Sequence, residues 1–137
     1  MRDHPGFCLA CFAPLSQEAD FCPVCGNRVV ELSRRDYREK LVHALSHPLV
    51  GVRMRAIIAL GLSGEPETAE DLVACAMRHP SDVIGGLEII NSLVQMKDAE
   101  IRQTALTALQ SRHPAHAVRE GAARALAALP NKEDNNA

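Results

Sequence analysis

The sequence predicts an all-α protein of about six helices, stacked as hairpins behind a small N-terminal cysteine module. Three observations carry that prediction. Apolar residues recur at three- and four-residue intervals from about residue 35 to 129, the helical rather than the strand period. The dipeptide His-Pro stands at His47-Pro48, His79-Pro80 and His113-Pro114, spacings of 32 and 34 residues, each time between two such stretches. Phe7, Phe12 and Phe21 lie within the first 25 residues, and Tyr37 is the one aromatic residue after them, so the composition changes near residue 30.

The first element is the cysteine module, residues 1–30. Cys8-Leu9-Ala10-Cys11 and Cys22-Pro23-Val24-Cys25 are two CxxC turns with ten residues between them. Each turn sets two sulfurs a metal's width apart and aims backbone N–H groups at them, so four thiolates converge on one tetrahedral ion. We read Cys8, Cys11, Cys22 and Cys25 as ligands of one structural Zn2+. Four protein ligands leave no open coordination position, which marks a structural rather than a catalytic ion. So short a segment has no core of its own, and it orders together with its metal. Phe7 and Phe21 each precede a CxxC and are expected to cover the metal with a ring. A thioredoxin-like redox role fails because no βαβ pattern surrounds either pair.

The helices follow in order. Tyr37–Leu45 is the first, ended by His47-Pro48. Val52-Arg53 with Ala56, Ile57, Ala59 and Leu60 form its partner. Ala69–Met77 and a segment opening at Val83 or Ile84, with Leu87, Ile90 and Leu93, make the second pair. Ile101–Leu109 and Val118-Arg119 with Ala122, Ala125, Leu126 and Leu129 make the third. Cys75 falls within a helix and is expected to be a buried thiol. The polar stretch 131–137 is expected to be a disordered tail. The organisation is thus residues 1–30, 31–130 and 131–137.

Two family resemblances sit on these motifs. Phe7–Cys11 through Phe21–Gly26 resembles the short zinc ribbons found at the ends of many bacterial and archaeal proteins, and the resemblance implies the same four cysteine ligands. Both turns of that family usually read CxxCG; here Phe12 replaces the first glycine, so the first turn is either distorted or uses Phe12 as a contact. Residues 35–129 resemble HEAT-type repeats of the short phycobilin-lyase variety, clearest at Val52–Gly61 followed by Glu65-Pro66-Glu67-Thr68-Ala69, which implies a HEAT-like α-solenoid. The second repeat is atypical. Gly85-Gly86 replaces the expected arginine and Ser92 falls where Leu60 and Leu126 sit, leaving a close helix approach, a frayed helix start or a ligand approach as readings of the glycines.

Charge and composition narrow the function. The formal net charge is −2 with neutral cysteines, and four thiolates on a divalent ion take it to about −4. Arg2, Arg28, Arg34, Arg35 and Arg38 interleave with acidic residues and the chain has no tryptophan, which disfavours nucleic acid as a partner. No apolar run reaches membrane-spanning length and the N-terminus lacks a signal-peptide core, so a cytoplasmic location is expected, with no membrane partner. Reduced CxxC thiols agree with that compartment.

No nucleophile and base pair, phosphate loop or paired acidic motif is present, and a non-enzymatic role is expected. Glu39, His43 and His47 share a helix face, but Ala44 occupies the position where a catalytic HExxH has its glutamate. The His-Pro histidines sit at helix C-termini, where the dipole favours a cation. The reading is therefore a protein interaction module: an adaptor, assembly factor or small subunit of a larger enzyme complex. Its last helix, about 115–129, carries an apolar arc of roughly 180°, wide enough to suggest contact with another chain or self-association. The alternatives are a nucleic-acid-associated zinc-ribbon factor and a lyase-like pigment-binding protein, the latter dependent on a reactive Cys75.

Overall fold

The computed structural model describes residues 6–8, 11–16, 18–28 and 34–129. The expected tail at 131–137 and Arg2 lie outside them. The chain is all-α: α1 spans Arg34–Ala44, α2 Val50–Ser63, α3 Ala69–Arg78, α4 Val83–Val94, α5 Ala99–Arg112 and α6 His116–Ala128, with a 3-10 turn at Pro66–Thr68 leading into α3. Only two isolated β-bridges occur among the described residues, both in the cysteine module.

The helices pair as α1–α2, α3–α4 and α5–α6, and each pair packs on the next: α2 against α4, α4 against α6, and α3 against α5. One core runs through all of them, from Leu41 and Leu45 through Ile57, Leu60, Leu72, Ile89 and Leu93 to Leu106, Leu109 and Val118. Most of its side chains are aliphatic, and burial of each large one stabilises the fold by roughly 1.5–3 kcal/mol. On α5 the opposite face holds Thr104, Thr107 and Ser111, each donating its hydroxyl to the carbonyl four residues back.

The His-Pro turns work as helix starters. His47 Nδ1 accepts the Leu49 N–H at 3.1 Å, and His113 Nδ1 accepts the Ala115 N–H at 3.0 Å, so each imidazole caps the helix that follows it. Arg53 Nη1 donates to the carbonyls of His47 and Pro48 at 2.9 and 3.0 Å; Arg119 Nη1 does the same to His113 and Pro114, both at 2.8 Å. These bonds satisfy carbonyls that the turn strands between helices. The expected cation at the preceding helix C-terminus is therefore not the role of His113. Its Nδ1 is an acceptor and its Nε2 sits 3.1 Å from the Ala76 carbonyl, a pairing that places the ring's single proton on Nε2.

The middle turn differs by one residue. α4 begins four positions after His79, whereas α2 and α6 begin three after their histidines. Here the cap comes from Asp82, whose carboxylate accepts from Gly85 N–H at 3.0 Å. The buried positions of α4 consequently match those of α2 with a 33-residue offset: Gly85, Gly86, Ile89, Ile90, Ser92 and Leu93 against Val52, Arg53, Ala56, Ile57, Ala59 and Leu60. Leu93, not Ser92, thus stands where Leu60 does, and Ser92 takes the place of Ala59. Gly86 serves a close helix approach: a β-carbon there would lie 2.8 Å from Val118 Cγ2 on α6. Arg53, with no arginine counterpart on α4, extends to Asp82, Nη2 to Oδ2 3.5 Å, and ties two turns together.

The last helix uses part of its wide apolar arc on two neighbours, while Ala117 and Ala128 stay exposed and Ala125, Leu126 and Leu129 half-buried. Val118 and Ala122 are fully enclosed between α5 and α4, and Gly121 faces Leu87 and Ile90. By the same offset Ala123 stands where α2 has Ile57 and α4 has Ile90, so the buried isoleucine of that flank shrinks to a half-buried methyl in α6. Beside it Arg124 is exposed and donates to Glu120 Oε1 at 2.9 Å.

Candidate metal centre

Two knuckles of the same shape build the site. In the first, Cys8 N–H donates to the Ala13 carbonyl at 2.8 Å and Phe12 N–H to the Cys8 carbonyl at 2.7 Å; in the second, Cys22 N–H donates to Asn27 at 2.9 Å and Gly26 N–H to Cys22 at 2.9 Å. The bridges Phe7 to Pro14 and Phe21 to Arg28 close the two loops identically, fourteen residues apart. Gly26 takes the left-handed conformation the turn requires, φ 75°, and Phe12 takes it too, φ 66°. The first turn is therefore undistorted. A bulky residue held there costs about 1–2 kcal/mol, which something else must offset.

The knuckles bring together all four predicted sulfurs. Cys8, Cys11, Cys22 and Cys25 place their Sγ atoms within 4.8 Å of one another, the one such group among the described residues. Cys8 to Cys25 is 3.7 Å and Cys11 to Cys22 is 3.5 Å. Disulfide sulfurs lie about 2.05 Å apart, so no pair is bonded. A tetrahedral ion with metal–sulfur bonds of about 2.3 Å holds its sulfurs roughly 3.8 Å apart, and the observed spacing fits such a centre.

Electrostatics point the same way. The backbone N–H groups of Cys25 and Val24 face Cys22 Sγ, the latter at 3.4 Å, and lower its thiol to about 6. At Cys11 the Ala13 N–H acts in that same downward sense, but lost hydration and the sulfurs of Cys22, Cys25 and Cys8 outweigh it and raise the thiol to about 12. The Cys22 thiolate forms readily, and Cys11 beside it resists a second negative charge. A bound cation removes that conflict by replacing the protons, so donor set, spacing and charge all suit a metal.

Phe7 and Phe21 part company. Phe7 is 4% exposed and joins the helical core, whereas Phe21 is 62% exposed, so it does not shield the site as expected. The first knuckle lies against the helices and the second faces away. Sequence reading left the role of Phe12 open: its ring stacks on Phe7 at 5.8 Å between centroids and meets the edge of His47 at 5.7 Å. Arg55 Nη1 donates to the Phe12 carbonyl. The signal in the sequence was the missing glycine itself.

Other candidate residues find structural employment. Cys75 is buried on α3, its thiol directed at the Leu45 carbonyl at 3.5 Å, and burial raises its pKa. His47 Nδ1 is committed to Leu49, and His43 is exposed, so Glu39, His43 and His47 do not converge. Arg38 is paired with Glu65 at 2.8 Å, removing one of the arginines considered for nucleic acid. No helix is long and apolar enough to cross a membrane among the described residues.

The chain matches no family model, and neither curated proteins nor solved structures give a match.

Proposed function

We propose that this chain is a zinc-binding, non-catalytic protein interaction module in which a zinc ribbon precedes a short HEAT-type array. The observation that carries the reading is the surface of α2 and α4. Their core faces are complete, yet Leu62 is 76% and Ile84 74% exposed, and Ile58, Leu87 and Val94 also stand in solvent. Single exposed aliphatics are ordinary, but five on two helices packed side by side support the reading that a protein partner covers them. Zinc is the ion that four thiolates in a closed tetrahedron favour, and it supplies fold energy rather than chemistry. An adaptor, assembly factor or small-subunit role follows, with a cytoplasmic setting that keeps the thiols reduced.

The test is affinity capture from the native host with the wild-type chain and with a Leu62→Asp, Ile84→Asp variant whose circular dichroism is unchanged. The reading expects a specific partner retained by the first and lost by the second. An identical captured set, or turnover of a small molecule by the isolated chain, counts against it. Elemental analysis should give one zinc per chain, and iron in its place would correct the metal.

A further inference from the structure

We infer that the first knuckle is the N-terminal cap of the helical array, with Phe12 as the coupling residue, so that metal occupancy sets the stability of the α1–α2 hairpin. The inference rests on the metal reading above and adds to it a mechanical link.

The link is a connected chain of contacts. Phe12 follows the ligand Cys11 directly, and its N–H is bonded to the carbonyl of the ligand Cys8. Its ring packs on Phe7, itself buried in the helical core, and on His47. The His47 ring in turn accepts the Leu49 N–H that opens α2. From the other side, Arg55 of α2 reaches back to the Phe12 carbonyl. Cysteine knuckle, aromatic stack and helix start are thus one continuous assembly.

Backbone strain at Phe12 points to the same link. The second knuckle uses glycine at the matching position, and the first forgoes it in favour of a residue that left-handed backbone disfavours. The turn itself gains nothing from the ring, since its hydrogen bonds are the same in both knuckles. What the ring supplies is contact with the helices. Without the metal the cysteine segment has little to hold that conformation, and the strained Phe12 turn is where the cap lets go.

The experiment uses the full chain loaded with Co2+, whose tetrathiolate absorption reports the site, and follows helix melting by circular dichroism at 222 nm. Removing the metal from the wild type with a chelator should lower the helix midpoint by on the order of 5 °C. Phe12→Gly should keep the cobalt spectrum, while its metal-loaded midpoint falls to that of the metal-free wild type. Arg55→Met, outside the module, should also leave the spectrum intact and shrink the metal-dependent shift. Phe21→Gly, at the solvent-facing knuckle, should keep the full shift. A wild type that loads cobalt normally yet melts at the same temperature with and without metal overturns the coupling alone. A Phe12→Gly protein with the full shift, or one that no longer loads cobalt, also overturns it. Absence of a tetrathiolate spectrum in the wild type removes the metal reading and this inference together.

Discussion

Ser92 on α4 sits so close to Gly61 on α2 that a β-carbon at 61 would lie 2.6 Å from its Oγ and 2.9 Å from its Cα. The same hydroxyl donates to the Ile57 carbonyl at 2.8 Å. A small residue on each helix thus lets the two backbones meet, and a buried hydroxyl is satisfied at the same time.

That contact gives a prediction whose sign is informative. Glycine to alanine inside a helix ordinarily adds about 1 kcal/mol of stability. Here Gly61→Ala should instead lose about 1–3 kcal/mol, because the methyl collides with the Ser92 backbone, which cannot rotate away. Urea denaturation decides it, and a stabilised variant refutes the close approach.

The two turn arginines should differ in their contributions. Arg53 is buried and holds two carbonyls and Asp82, so Arg53→Met should cost about 2–4 kcal/mol. Arg119 makes the same pair of carbonyl bonds from a half-exposed position, and Arg119→Met should cost about 1 kcal/mol. Equal losses in thermal melts would mean that the Asp82 link contributes nothing.

Thiol accessibility should separate the five cysteines. In metal-loaded native protein, a chromogenic disulfide reagent should react slowly; after chelation four thiols should react promptly, and Cys75 only on unfolding. Cys22→Ser should abolish stoichiometric metal binding while most helix remains. Prompt reaction of Cys75 in the native state would reopen a reactive role for it.

Acid should weaken the fold through His79. Burial, then the charges of Arg53 and Arg78, hold its pKa below the ordinary 6.5, against the pull of Asp82. Its Nε2 is enclosed and makes no hydrogen bond among the described residues. Above pH 6.5 both folded and unfolded forms are neutral and stability is full. As pH falls through that value the unfolded chain takes up a proton that the folded chain resists, so stability declines until the folded group also titrates. His79→Gln should flatten this decline relative to wild type in urea midpoints taken from about pH 7.5 to 5; parallel curves would exclude His79 as the cause.

Much of this protein was legible along the chain. The four sulfurs were identifiable because CxxC spacing fixes local geometry, and the six helices because apolar periodicity and His-Pro punctuation both act within a few residues. The second repeat was misaligned by one position, since His79 suggested an offset that the extra residue before α4 cancels. Phe21 stands in solvent rather than over the sulfurs, whereas Phe7 is buried in the helical core, as equivalent residues in two loops have different neighbours.

The sequence by itself determined the local chemistry: which thiols meet, where helices begin, and which faces are apolar. Tertiary structure alone decided that Phe12 keeps a glycine's conformation to reach His47, that Arg53 bridges to Asp82, and that Val118 and Ala122 are the part of the α6 face enclosed by α4 and α5. The division follows range, because spacing rules express bonds between near neighbours, whereas contacts across dozens of residues depend on how whole helices pack.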